Sequence, residues 1–208
     1  MSRFGSDPHA FFDNVYQTSA PWDIGGAQPA MASLLVDFPP IDPILDVGCG
    51  SGDLAIHLAR SGHAVTGIDF VETAISQANE KSAALPADVA RLLQFQVADA
   101  TKPSRLGRRF GSVVDSGFLH LLDPDEADDF LADLCSVIVP GGRYYLHEFS
   151  VALPAENMPR QVTEAELRGR FEETQGWRIL DIRTAEFHSR VAPPVAAIAA
   201  CIERLVEP

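Results

Sequence analysis

At 208 residues with 46% hydrophobic side chains, the chain can bury a core without disulfides or a structural metal; Cys49, Cys135 and Cys201 lie far apart, match no zinc spacing and suit a reducing cytoplasm. Sixteen basic against 29 acidic residues, a formal net charge of −13, disfavour nucleic acid, which needs Lys and Arg to meet its phosphates. The first residues carry Asp7, Asp13 and several aromatics instead of an apolar signal core, and no apolar run approaches the roughly 20 residues that span a bilayer, so a cytoplasmic protein without a membrane partner is expected.

Residues 1–25 read as an arm carrying Phe11, Phe12, Tyr16 and Trp22, followed by a short helix over 30–37 that Pro39-Pro40 ends. Next, Ile44-Leu45-Asp46-Val47-Gly48-Cys49-Gly50-Ser51-Gly52 runs from an apolar strand through an acid into three glycines at alternate positions. Such glycines let the backbone turn sharply and approach a ligand closely, and a helix over 53–60 would aim its N-terminal amides at that ligand. The spacing is G-x-G-x-G, whereas a dinucleotide site wants G-x-G-x-x-G, and Asp46 sets a carboxylate near the place of a pyrophosphate. A ligand with a positive centre and no phosphate fits better. S-adenosylmethionine (SAM), with its sulfonium and amino group, is one; a glycine turn that binds nothing is the alternative.

A second strand over 64–68 ends in Asp69, and 69 − 46 = 23 residues is the separation expected when one helix links adjacent parallel strands. The Asp69 carboxylate can accept from both ribose hydroxyls, or cap the helix predicted over 71–83, or do both. Phe70 can lie against an adenine face or in the core. A third strand, 92–97, ends at Asp99-Ala100, where Asp99 can take the adenine amino group or serve as a surface loop residue. The basic cluster Arg105 to Arg109 reads as a solvated turn. A fourth strand, 110–115, runs into Asp115-Ser116-Gly117-Phe118-Leu119-His120, a helix follows over 125–138, and a fifth strand covers 142–149. Thr163-Glu164-Ala165-Glu166 reads as a helix start, 177–183 and 184–191 as two closing strands, and 194–205 as a final helix. Alternation of strand and helix argues for a parallel sheet, and no repeat or linker divides the chain.

Asp46 to Gly52, Gly67-Ile68-Asp69, Val97-Ala98-Asp99-Ala100, Val113-Val114-Asp115-Ser116 and Pro140-Gly141-Gly142-Arg143, in this order and spacing, resemble the class I SAM-dependent methyltransferases. The resemblance covers most of the chain. It implies a three-layer, doubly wound, Rossmann-like α/β fold: a seven-stranded, mostly parallel sheet with one antiparallel strand near its edge. It also implies one domain over 1–208, in which an N-terminal arm and helix (1–40) cover the active site of a SAM-binding core (41–208). Pro21-Trp22-Asp23-Ile24-Gly25-Gly26-Ala27-Gln28-Pro29-Ala30, with the segment ending in His120 and a Pro-initiated C-terminal helix, looks more narrowly like small bacterial methyltransferases of hydroxylated heterocycles, the heterocyclic toxin methyltransferases, and like thiopurine-type enzymes.

SAM as cofactor, with S-adenosylhomocysteine as product, is expected to meet Trp22, Asp46, Gly48, Gly50, Asp69, Phe70, Asp99, Ala100 and Asp115. A small-molecule acceptor is expected beside Tyr16, Gln28, Phe118 and His120, and no metal is required. His120 is the candidate base, because an imidazole titrates near pH 6.5, with a structural histidine as the alternative. His147 is a second candidate that can equally be a core histidine. Asp115 can hold the methionine end or orient His120, and Trp22 and Tyr16 can form a lid or a structural latch. The function expected is O-methylation of a hydroxylated aromatic or heterocycle by a monomer or homodimer. A non-catalytic SAM-binding domain, a protein methyltransferase and a dehydrogenase stay open as alternatives. An amino-nucleobase enzyme is disfavoured, because Asp115-Ser116-Gly117-Phe118 stands where an Asn/Asp-Pro-Pro-aromatic motif is expected.

Overall fold

A computed structural model describes residues 3–154 and 157–205; the outermost residues of the expected 1–208 domain lie outside that description. The helices are α1 (Pro8–Tyr16), α2 (Pro29–Asp37), α3 (Asp53–Arg60), α4 (Glu72–Ala83), the single turn α5 (Ala87–Ala90), α6 (Pro124–Val137) and α7 (Glu164–Arg170). The strands are β1 (Ile44–Val47), β2 (Val65–Asp69), β3 (Leu93–Val97), β4 (Phe110–Ser116), β5 (Ile138–Phe149), β6 (Trp177–Phe187) and β7 (Val195–Arg204). They form one sheet in the order β3-β2-β1-β4-β5-β7-β6. Pairing is parallel from β3 to β5, and β7 runs antiparallel to both its neighbours.

Local chemistry explains where the helices begin. Asp7 accepts the Ala10 amide ahead of Pro8 at the first turn of α1, and Thr163 accepts from Glu166 to start α7. At α6 the Asp123 carboxylate and the Glu126 side chain form a reciprocal capping box around Pro124. The four residues of β1 are all buried, as a central parallel strand covered on both faces requires. Strand alternation then splits the core. Leu45, Val47, Val113 and Tyr144 pack with Phe130 and Leu134 of α6, while Ile44, Val114 and Tyr145 pack with Leu34 of α2 and Leu54 and Leu58 of α3. Phe4, Phe12, Tyr16 and Ala20 form a third cluster that seats the arm on Val71 and Ala74.

Two expectations for the C-terminal part are corrected. The segment over 194–205 is the strand β7, not a helix, and 177–191 holds one strand, β6, with a register shift between Ile179 and Asp181, not two. Between β5 and β6, β7 has backbone partners on both sides and buries the run from Ala197 to Ile202. Alanine's helix propensity, worth only tenths of a kcal/mol per residue over ordinary residues, loses to that ladder and burial.

The sheet order reverses direction between β1 and β4. The crevice outside the carboxyl ends of those two strands is where open α/β sheets hold ligands, and it brings the glycine turn beside the loop after β4.

Candidate active site

The turn from β1 into α3 has Gly48, Gly50 and Gly52 at φ +63°, +52° and +83°, in the left-handed region that side chains rarely adopt. A Cβ on Gly48 would stand 2.8 Å from the Phe118 ring, and one on Gly50 would stand 2.5 Å from the Tyr16 hydroxyl. Both the arm and the loop after β4 therefore rest directly on the turn. Asp69, at the end of β2, braces it from below: one carboxylate oxygen accepts the Gly50 amide at 3.0 Å and the other accepts the Val71 amide at 2.9 Å. Burial raises the Asp69 pKa, and these bonds oppose the rise. Asp46, buried beneath the turn, has an Oδ2 with no hydrogen-bond partner, and burial followed by the nearby Asp115 pushes its pKa well above the usual carboxylate range.

The arm is latched over this turn by polar contacts. Trp22 Nε1 donates to the Tyr16 hydroxyl at 3.2 Å, and Gln77 of α4 donates to the Tyr16 carbonyl at 2.7 Å. Thr73 donates to Asp13 at 2.6 Å. Ser51, in the turn itself, donates to Asp23 at 2.6 Å, and Lys81 joins Ser51 and Asp53 at 2.7 Å each. Phe70 meets Phe12 and His9 edge-on, with centroids 5.9 and 5.6 Å apart.

On the other side, Asp115 is fully buried and holds the loop after β4 in shape. Its oxygens accept the Phe118 amide at 2.7 Å, the Leu119 amide at 3.2 Å and the Tyr144 hydroxyl at 2.6 Å. That loop ends in a 3-10 turn over Leu119–Leu121. There His120 Nδ1 lies 2.8 Å from Glu148 Oε2, which also accepts the His120 backbone amide at 3.2 Å. The His120 ring stacks on Phe149 at 4.8 Å and 6°, and His147 stacks on Phe187 at 4.8 Å and 12°. Phe149 and Phe187 meet at 4.8 Å, closing a cluster of four rings at the carboxyl ends of β5 and β6. Burial lowers His120 to about 3 and His147 to about 4, so both imidazoles are neutral near pH 7.

The structure thus gathers Tyr16, Trp22, Asp46, Gly48, Gly50, Asp69, Asp115, Phe118 and His120 around the glycine turn and the loop after β4, but several take other work than the sequence suggested. Gln28 is buried, Nε2 donating to the His188 carbonyl at 3.0 Å and Oε1 accepting the His188 amide at 2.9 Å, so that it clamps the end of β6 and keeps one N–H and one lone pair beyond that pair of bonds. Phe118 is buried beneath the glycine turn against Phe130, 5.2 Å between centroids, and its place is the core, not an acceptor surface. The Asp115 carboxyl holds backbone amides and Tyr144, and Glu148, not Asp115, is the carboxylate on His120. Asp99 is exposed and bonded to the Thr101 amide and hydroxyl at 3.0 and 2.6 Å, and Ala100 is buried beside it. His147 is fully buried, with neither ring nitrogen hydrogen-bonded. Sequence reasoning passed over Glu148, Phe149 and Phe187. A signal was present for Glu148: an acid four residues after Tyr144 in a buried strand shares its face of the sheet.

These residues fit SAM. A carboxylate has about four lone-pair positions, so Asp69 can hold two backbone amides and still accept ribose hydroxyls. The unpartnered Asp46 Oδ2 suits a group that carries positive charge. A methyltransferase-domain family matches residues 44–142. The 2-heptyl-1-hydroxyquinolin-4(1H)-one methyltransferase of Mycobacteroides abscessus is 30% identical over 171 residues, covering 81% of this chain and 73% of that protein. The 27-O-demethylrifamycin SV methyltransferase of Amycolatopsis mediterranei is 35% identical over 109 residues, which are 52% of this chain and 39% of that one. A structure from work on the conversion of a disulfide bond into a thioacetal group during echinomycin biosynthesis superposes with a TM-score of 0.80 at 30% identity, covering 95% of this chain and 93% of that chain. The magnesium protoporphyrin IX methyltransferase of Synechocystis PCC 6803 with bound SAM, at 24% identity and a TM-score of 0.65 over 94% of this chain and 82% of that one, shares the fold. The domain match, the relative aligned over 81% of the chain and the shared fold together place the chain in the class I SAM-dependent methyltransferases, with SAM as its cofactor and a small molecule as its acceptor.

Proposed function

We propose that this enzyme methylates a hydroxyl oxygen on a planar aromatic or heteroaromatic small molecule. The observation that carries the reading is the ring cluster of His120, Phe149, Phe187 and His147, set on a loop whose Phe118 rests on Gly48. Aromatic walls favour a flat, apolar acceptor, and an imidazole among them suits one that must lose a proton. The hydroxyquinolone activity in the name of the Mycobacteroides abscessus relative supports the same class of acceptor.

When bound, SAM supplies an electrophilic methyl group on a positively charged sulfur. Asp69 would hold the ribose hydroxyls while its own bonds to Gly50 and Val71 keep the turn in place. Asp46 would serve the amino group, Phe70, Asp99 and Ala100 would serve the adenine, and Tyr16 and Trp22, latched over the turn, would keep water out. Asp115 fixes the loop that carries His120, whose Nε2 takes the hydroxyl proton of a weakly acidic acceptor. Alignment of acceptor oxygen and methyl carbon supplies most of the acceleration, by up to roughly 7–11 kcal/mol in intramolecular models, and because burial holds His120 at about 3 its imidazole is a weak base that adds less than alignment does. An acceptor already ionised needs only the alignment.

The test is calorimetric titration with SAM and S-adenosylhomocysteine, then a panel of hydroxylated heteroaromatics assayed for methylated product by mass spectrometry. Tight binding with turnover of planar hydroxylated acceptors is expected. Turnover confined to amines, thiols or peptides would sink the acceptor assignment, and binding without turnover on any acceptor would favour a SAM-sensing role.

A further inference from the structure

Three polar side chains of α4, Thr73, Gln77 and Lys81, stand four residues apart on one face and meet the arm and the glycine turn. Thr73 donates to Asp13 and Gln77 to the Tyr16 carbonyl, so the end of α1 is fixed beside the turn. Lys81, one helical turn further on, donates at 2.7 Å to Ser51 Oγ and at 2.7 Å to an Asp53 oxygen. A lysine ammonium has donors only, so Ser51 must accept from it, and the single Ser51 hydroxyl proton goes to Asp23 Oδ2, 2.6 Å away. Lys81 Nζ lies 4.0 Å from that same Asp23 oxygen. The charge on α4 thus sets the direction of the one hydrogen bond that, among the described residues, joins the segment 18–27 to the glycine turn.

That segment carries neither helix nor strand, and the helices at its two ends are seated: α1 through Phe12 and Tyr16 beside Val71 and Ala74, α2 through Met31 and Leu34 in the core. Between these anchors it forms a strap. Arg190, exposed in the loop after β6, holds the strap from its far side by donating to the Pro21 carbonyl at 2.9 Å and the Ser19 carbonyl at 3.1 Å. Gly25 and Gly26 are exposed, Gly25 at φ +80°, and a Cβ on either would meet nothing within 4 Å, so the backbone there can rotate without a clash. A segment with fixed ends, a glycine pair near one of them and a single side-chain bond to the turn has the parts of a gate.

We propose that Lys81 is a positioning residue for cofactor exchange: it aims the Ser51 hydroxyl at Asp23 and so keeps the strap shut on the glycine turn, and SAM enters and S-adenosylhomocysteine leaves when that bond breaks and the strap swings on Gly25-Gly26. This rests on SAM lying at the turn and not on the identity of the acceptor. Asp23, Ser51 and Lys81 bond to one another, so the latch resists entry and exit alike. Weakening it speeds both and leaves affinity almost unchanged, whereas losing a residue that only supports bound cofactor speeds exit alone.

Rates and hydrogen exchange test this on the cofactor site without any acceptor. S-adenosylhomocysteine is mixed with the enzyme in a stopped-flow instrument, and the fluorescence of Trp22, in the strap, follows association and release. Lys81→Met and Asp23→Ala should each raise kon and koff about tenfold, the order for one hydrogen bond to a charged group, with Kd within about threefold of wild type. The double variant should be no faster than either single one, because both break the same chain of bonds. Lys81→Arg keeps a cationic donor and should recover most of the slow exchange. In enzyme without ligand, the backbone amides of 18–27 should exchange with deuterium faster in Lys81→Met than in wild type, while those of β1 and β4 keep their protection. A rise in koff alone, matched by lost affinity, would make Lys81 an ordinary support of the turn and overturn the gate. Unchanged rates in both single variants, or additive effects in the double one, overturn it as well. Failure of the wild type to bind S-adenosylhomocysteine would remove the cofactor from the turn and the gate with it, a result distinguishable before any variant is made.

Discussion

Replacing Asp69 by Ala tests whether the glycine turn and the cofactor share one support. The carboxylate holds the Gly50 amide at 3.0 Å and the Val71 amide at 2.9 Å, and Asp69 and Val71 are both buried. Each buried donor left without an acceptor costs about 1–3 kcal/mol, a gross penalty of roughly 2–6 kcal/mol. Burial disfavours the ionised carboxylate, so its removal returns part of that, and a net loss of about 2–3 kcal/mol is expected. Binding should suffer as well, because the ribose loses its acceptor and Gly50 loses its brace. At least a tenfold weaker affinity for S-adenosylhomocysteine, about 1.4 kcal/mol, should follow. Asp69→Asn keeps one carbonyl acceptor and should fall between wild type and Ala. Urea unfolding and calorimetric titration give the two numbers. Affinity within twofold of wild type together with an unchanged unfolding midpoint would refute both the bracing role and the ribose contact.

Three further outcomes are expected. Gln28→Ala leaves the His188 amide and carbonyl unpartnered, so urea unfolding should show a loss of about 1–3 kcal/mol while KM for the acceptor stays within twofold; a selective rise in KM would restore the substrate contact that the sequence suggested. Gly50→Ala places a side chain in left-handed backbone, about 1–2 kcal/mol, and drives its Cβ into the Tyr16 hydroxyl; α1 should become susceptible to limited proteolysis, and a variant as resistant as wild type would contradict the packing of the arm on the turn. Glu148 has a folded pKa near 7 against an ordinary 4.5, so the folded state binds the proton more tightly; the stability it contributes is full below about pH 4.5 and is lost as pH rises through about 7, on the order of 3 kcal/mol for that shift. Unfolding of Glu148→Gln and wild type compared at pH 4.5 and 8 should therefore show the variant gaining relative to wild type as pH rises, and a difference independent of pH would remove the buried carboxyl from the balance.

The residues that the sequence by itself determined are those governed by local rules. Three alternate glycines after an apolar strand specify a turn at positive φ, and β1 and α3 fall at 44–47 and 53–60 as read. The 23-residue step from Asp46 to Asp69 specifies adjacent parallel strands, and both carboxylates do flank that turn. The strand β7 was invisible because Ala197 to Cys201 is locally as good a helix as a strand; only its place between β5 and β6, which pairs its backbone on both sides, decides the matter. The same holds for the chemistry near His120. Asp115 and Glu148 are both acids at the carboxyl ends of central strands, and nothing within the chain order says which of them reaches the imidazole. That choice depends on a few ångströms of loop geometry: the turn after β4 folds its Phe118 and Leu119 amides back onto Asp115, occupying it, and carries His120 over β5, where Glu148 is the carboxylate within reach. Local sequence fixes backbone conformation because sterics and short-range hydrogen bonds act over a few residues, whereas the partner of a buried side chain is set by contacts among segments far apart in the chain.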